Sequence, residues 1–101
     1  MDLSTMKQAL ELRSKLEKVK KELGKMTVEV ESGKGTVKVV ASGDQKIVSI
    51  TISPEVIRPD KPNDLEKLIL KTTNEALEKS MKMAATEMKK LTGDINIPGL
   101  T

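Results

Sequence analysis

A chain of 101 residues is long enough for one domain, and with 37% apolar residues and no Phe, Trp or Tyr its interior is built from Val, Ile, Leu, Met and Ala. The absence of His and Cys excludes imidazole bases, His-bound zinc, disulfides and thiol chemistry, and the absence of rings excludes base-stacking platforms for single-stranded nucleic acid. The 18 Lys and Arg against 15 Asp and Glu leave a net charge of +3, which permits a polyanionic partner without demanding one.

The first stretch lacks the uninterrupted apolar run of a secretory signal, and nothing approaches the roughly 20 apolar residues of a membrane span, so a soluble cytoplasmic protein is expected. From Met6 to about Lys25 the residues have good helical propensity, and Gly24 is the expected stop. Ala9, Leu12, Leu16, Val19, Leu23 and Met26 recur at alternating steps of 3 and 4, the spacing of a coiled-coil seam, while Leu3, Met6 and Leu10 form a second short stripe. Glu11 with Lys15 and Glu17 with Lys21 support the exposed face.

Three strands are predicted next, in "MTVEVE", "TVKVVAS" and "KIVSITIS". In the first, Met26, Val28 and Val30 alternate with Thr27, Glu29 and Glu31; in the second Val37, Val39 and Ala41 share a face, and in the third Val48, Ile50 and Ile52 do so. Period two with one polar side implies an antiparallel meander covered on one face. The links "SGKG" and "SGDQ" match neither the Walker pattern nor GxGxxG, and both lie between strands rather than before a helix, so they are read as turns and not as phosphate loops. Glu29 and Glu31 share a strand face with no third partner, which reads as a solvated surface.

After Pro54, Pro59 and Pro62, the pair Asn63 and Glu66 resembles a helix cap, and a helix is predicted from Asp64 to about Leu91. Residues 92–101 are expected to form a flexible tail beyond a single domain spanning 1–91. The helix carries two apolar rows: Leu65, Ile69, Thr72, Ala76 and Met83, and then Leu70, Leu77, Met81, Ala84, Met88 and Leu91. One three-stranded sheet covers one row, and a helix about 42 Å long overhangs a domain whose radius of gyration should be about 13 Å. The second row is therefore assigned to the interface of a homodimer, intertwined or packed through sheet and helix, the alternative being a monomer whose two helices pack on each other.

The basic residues gather on the helices. Residues 1–25 carry a net +3, residues 26–60 a net −1 and residues 61–101 a net +1. Lys7, Lys18, Lys21 and Lys25 share one face of the first helix, away from the seam, with Arg13 on the same element. On the last helix Lys67, Lys71, Lys82 and Lys89 line up, with Lys79 and Lys90 nearby. Two readings stand for these residues: an intermixed solvated surface, since Lys and Glu alternate as on many exposed helices, or a candidate DNA-binding surface of Lys7, Arg13, Lys18, Lys21, Lys25, Lys79, Lys82, Lys89 and Lys90, shown twice in a dimer. No nucleophile and base, metal ligand set or cofactor motif can be assembled, so no enzyme activity, metal, cofactor or small-molecule substrate is expected.

The segment "GKGTVKVVASGDQKIVSITISPE", with Gly33, Gly35, Val37, Val39, Gly43, Ile50, Ile52, Pro54 and Glu55, resembles the YbaB/EbfC family of nucleoid-associated proteins, and the likeness extends over nearly the whole chain. The resemblance implies an α+β fold, a small homodimer, binding to double-stranded DNA through protruding helices used like tweezers, and a role in nucleoid organisation and gene regulation. The heptad helices leave a second reading, a prefoldin-like coiled-coil module that binds proteins, against which three strands rather than two already count.

Overall fold

The chain runs α1 (Leu3–Lys25), β1 (Thr27–Ser32), β2 (Val37–Ser42), β3 (Ile47–Ile52), one 3-10 turn (Pro54–Val56) and α2 (Pro62–Asp94). The computed structural model describes residues 2–94. The strands form one antiparallel sheet in the order β1-β2-β3.

α1 starts earlier than its periodicity predicts. Asp2 caps it, its carboxylate accepting from the Thr5 backbone N–H at 2.8 Å and from the Thr5 hydroxyl. At the other end Gly24 lies inside the last turn, and the helix stops at Lys25, with Met26 already extended. α2 also starts earlier. Pro62 takes the first helical position, where its missing N–H costs nothing, and so Asn63 is inside the helix rather than its cap. α2 continues to Asp94, past the expected end at Leu91, and residues 95–101 of the expected tail lie outside the described residues.

The core is thin. Val37, Val39 and Ala41 on the inner face of β2 are fully buried with Ala76 of α2, and Val28, Val30, Leu65, Leu68 and Ile69 pack around them. Thr72, Ala76 and Ser80 recur every four residues on α2, and all three are fully buried. Small side chains at this spacing let the helix lie close on the sheet, and their hydroxyls are satisfied there. Thr72 Oγ1 donates to the Leu68 carbonyl at 2.6 Å, and Ser80 Oγ donates to the Ser42 carbonyl at 2.5 Å. Of the first apolar row, Leu65, Ile69, Thr72 and Ala76 meet the sheet, with Leu68 and Ser80 added to them, whereas Met83, farther along α2, is half-buried and outside this core.

Both turn readings hold in the structure. Gly33, Lys34 and Gly35 all have positive φ in the β1–β2 link, and Gln45 does in the β2–β3 link. β3 departs from simple alternation. Ile50 pairs with Val39 and Ile52 with Val37, but a bulge follows, and Ile47 rather than Val48 opposes Ala41. One inserted residue resets the period of two, which a pattern count along a single strand does not detect.

α2 rests on β1 and β2 and leaves β3 almost untouched, while α1 touches α2 and β2 only slightly. The molecule measures 67 × 22 × 19 Å, and its radius of gyration of 19.3 Å is well above the roughly 13 Å of a compact domain this size. Both helices overhang the sheet, as their lengths require.

Candidate nucleic-acid interface

α1 is an exposed rod. Leu23 is its only buried side chain, and Leu12, Leu16 and Val19 of the seam are half-buried. The lysines stand on the opposite side: Lys7, Lys18, Lys21 and Lys25 are all exposed. Among the described residues none of these four, nor Lys15 and Lys20 beside them, has a carboxylate within 4.0 Å. Arg13 differs, because its Nε lies 3.3 Å from Glu17 one turn on.

The basic groups of α2 are more engaged. Lys82 lies 3.8 Å from Glu78 and Lys90 3.1 Å from Glu87. Lys79 donates from Nζ to the Glu29 carbonyl of β1 at 3.2 Å. This bond covers part of an edge strand and marks the flank of α2 that faces β1. Lys89 is exposed on the same helix. The structure thus brings the α1 lysines onto one open face and ties three of the α2 basic groups to neighbours, a distinction that residue type and spacing do not carry.

The opposite flank of α2 follows from helical geometry, since Leu70, Leu77 and Met81 project roughly half a turn away from Lys79. They lie on the β3 side. Leu70 is 62% exposed and Met81 55%, whereas Leu77, Ala84 and Met88 are half-buried and Leu91 is buried within the single chain. Beside them the inner face of β3 is open, with Ile50 44% exposed. Two apolar surfaces, one on a helix and one on a strand, are therefore left exposed in the single chain. The sequence pattern located the helix row but missed its strand neighbour, because alternation does not say which strand the helix leaves bare.

The outer face of the sheet is a solvated charge cluster. Lys38 lies 3.5 Å from Glu29 and 3.4 Å from Glu31, and the Glu29 charge first, then the bond to Glu31, holds its ammonium above the ordinary lysine value. At the β2–β3 turn the Ser42 hydroxyl donates to Asp44, and this bond, aided by Lys46, keeps the Asp44 carboxyl below its ordinary value. A shallow cleft below α2 mixes Glu55 and Asp64 with Arg58 and Lys61. Among the described residues no group of His, Cys, Asp or Glu is arranged to hold a metal, and no helix is long and apolar enough to cross a membrane.

The profile of the YbaB/EbfC DNA-binding family matches residues 2–95. A nucleoid-associated protein of Desulforamulus reducens is 50% identical over 95 residues, covering 94% of this chain and 90% of its own. Another nucleoid-associated protein, from Caldanaerobacter subterraneus subsp. tengcongensis, is 47% identical over 94 residues, covering 93% of this chain and 85% of its own. The crystal structure of an uncharacterized protein from Helicobacter pylori shares the fold with a TM-score of 0.67 at 18% identity, covering 94% of this chain and 97% of that one. With one helix, a three-stranded meander and a long second helix matched end to end, the chain belongs to the YbaB/EbfC DNA-binding family.

Proposed function

We propose that this chain works as a homodimer that binds double-stranded DNA, mainly by lysine contacts to phosphates, and so takes part in nucleoid organisation and in the regulation of nearby genes. The match of residues 2–95 to a DNA-binding family carries this reading, under which the protein works in the cytoplasm, on the nucleoid. The unpaired lysines of α1 support it. A cation already neutralised by a carboxylate gains little from a phosphate, whereas a free one releases the counterion condensed there.

The dimer is supported by the apolar residues that the single chain leaves exposed, Leu70 and Met81 on α2 and Ile50 on β3. Twofold symmetry covers such a surface in both chains at once. Exposed apolar surface of this kind is uncommon on a lone soluble chain.

Phosphate contacts carry little base information, so broad or shape-based preference is expected rather than strong base readout. Engagement of about four to six phosphates gives a slope of log K against log salt of roughly −4 to −5. A salt titration of binding to random duplex DNA measures it, and a flat response removes the reading. Light scattering on the same sample checks the dimer.

A further inference from the structure

We propose that Gly43 is a positioning residue, the pivot that fixes the direction in which α1 projects from the sheet; this rests on the reading of α1 as a DNA-contacting arm. The contact is a backbone one. The Gly43 N–H is shared between the Leu23 carbonyl and the Met26 carbonyl, each at 2.9 Å, which joins the last turn of α1 and its cap to the end of β2. A Cβ at position 43 would stand 2.7 Å from the Leu23 carbonyl oxygen and 3.0 to 3.1 Å from the Leu23 side chain. Its φ is not positive, so close approach, not backbone freedom, requires glycine here.

The far side of the junction is anchored. Ser42, the preceding residue, has its carbonyl taken by the fully buried Ser80 of α2, and its hydroxyl bonds Asp44 within the turn. Three elements therefore meet at Leu23, Gly43 and Ser80. Elsewhere α1 is covered only in part: Leu12, Leu16 and Val19 are half-buried, and no side chain of the helix but Leu23 is buried. From Leu23 to Met6 the helix is a lever about 25 Å long, so a shift of a few tenths of an ångström at the pivot becomes ångströms at the tip.

Because the chain has no Cys, labels at Met6→Cys and Thr51→Cys report the distance from arm tip to sheet alone. Spin labels are read by pulsed dipolar spectroscopy, with labelled chains diluted into unlabelled ones. The native background is expected to give one narrow distance distribution. Gly43→Ala is expected to shift or broaden it by about 3 Å or more and to weaken DNA binding about tenfold, since paired arms lose simultaneous engagement when their geometry changes. Gly24→Ala is the control, because its Cβ would meet only the Asp44 carboxylate, with Oδ2 at an ordinary 3.5 Å, and it should leave the distance unchanged.

An unchanged distance in folded Gly43→Ala, or an equal shift in Gly24→Ala, overturns the pivot. A shifted tip with unchanged DNA affinity upholds the pivot and removes α1 from the DNA-binding reading, so the two ideas fail separately. Should Gly43→Ala not fold, the native background decides: a broad distribution there overturns the proposal, and a narrow one supports it.

Discussion

α1 and α2 have similar amphipathic patterns, yet the structure treats them as opposites. α2 lays Thr72, Ala76 and Ser80 flat on the sheet and ties Lys79 to the neighbouring β1. α1 buries Leu23 alone, leaves Leu3 85% and Leu10 64% exposed, and keeps six lysines clear of carboxylates among the described residues. The difference teaches that a periodic apolar row records a helix that needs a partner, not where the partner is. For α2 the partner is the sheet of the same chain. For the second row of α2 it is proposed to be another copy.

The largest effect should come from charging the second row. Leu70→Asp with Met81→Asp places two carboxylates in the proposed interface, and light scattering should then report one chain of 11.1 kDa in place of two. A dimer that survives both charges would show that this row lies outside the interface.

Core and arm should separate next in stability. Val39→Ala, under α2 with no exposed surface, is expected to cost about 2 to 3 kcal/mol and to lower Tm by roughly 10 °C or more. Leu10→Ala on the arm should shift Tm by little, within about 0.5 kcal/mol. Equal losses in thermal melts would erase the contrast between the helices.

The lysines sharpen the comparison further. Replacing Lys18, Lys21 and Lys25 by Gln should flatten the salt slope of DNA binding by up to about 0.9 for each phosphate that is no longer neutralised. Replacing Lys82 and Lys90, which already have carboxylate partners, should change it less. The reverse order in a filter-binding titration would move the DNA surface from α1 to α2.

The smallest effect is a pH dependence at the junction of the two halves. Asp44 has its folded-state pKa lowered by the Ser42 hydroxyl, so its stabilisation is complete above the ordinary value of about 4 and is lost as pH falls through the lower folded value. Asp44→Asn should therefore lose stability at neutral pH and flatten the acid limb of a denaturation series below about pH 4. An unchanged acid limb would mean that the carboxylate contributes nothing to the turn.

Much of the fold could be read from spacing. Alternation at Val37, Val39 and Ala41 marked the buried face of β2, and the row through Leu65, Ile69, Thr72 and Ala76 marked the face of α2 that meets it. Helix starts were misplaced, because Asp2 as a cap and Pro62 as a first residue are single-residue signals that lie outside the periodic stretch. The bulge in β3 was invisible because it is a property of the pairing between two strands. For the candidate interface, residue type located the lysines, but their ion pairs depend on which rotamers and neighbours the fold brings together.

Local chemistry, then, determined the element order and the meander, along with the two-faced helices and the exclusion of histidine and cysteine chemistry. These follow from steric preference and hydrophobic period, which act between residues close in the chain. Tertiary structure alone decided that α2 covers two strands and spares the third, that the end of α1 meets the end of β2 through the backbone of Gly43, and that lysines clear of carboxylates line the arm. Those outcomes depend on how close distant segments approach, and distance through space is not written in the order of residues.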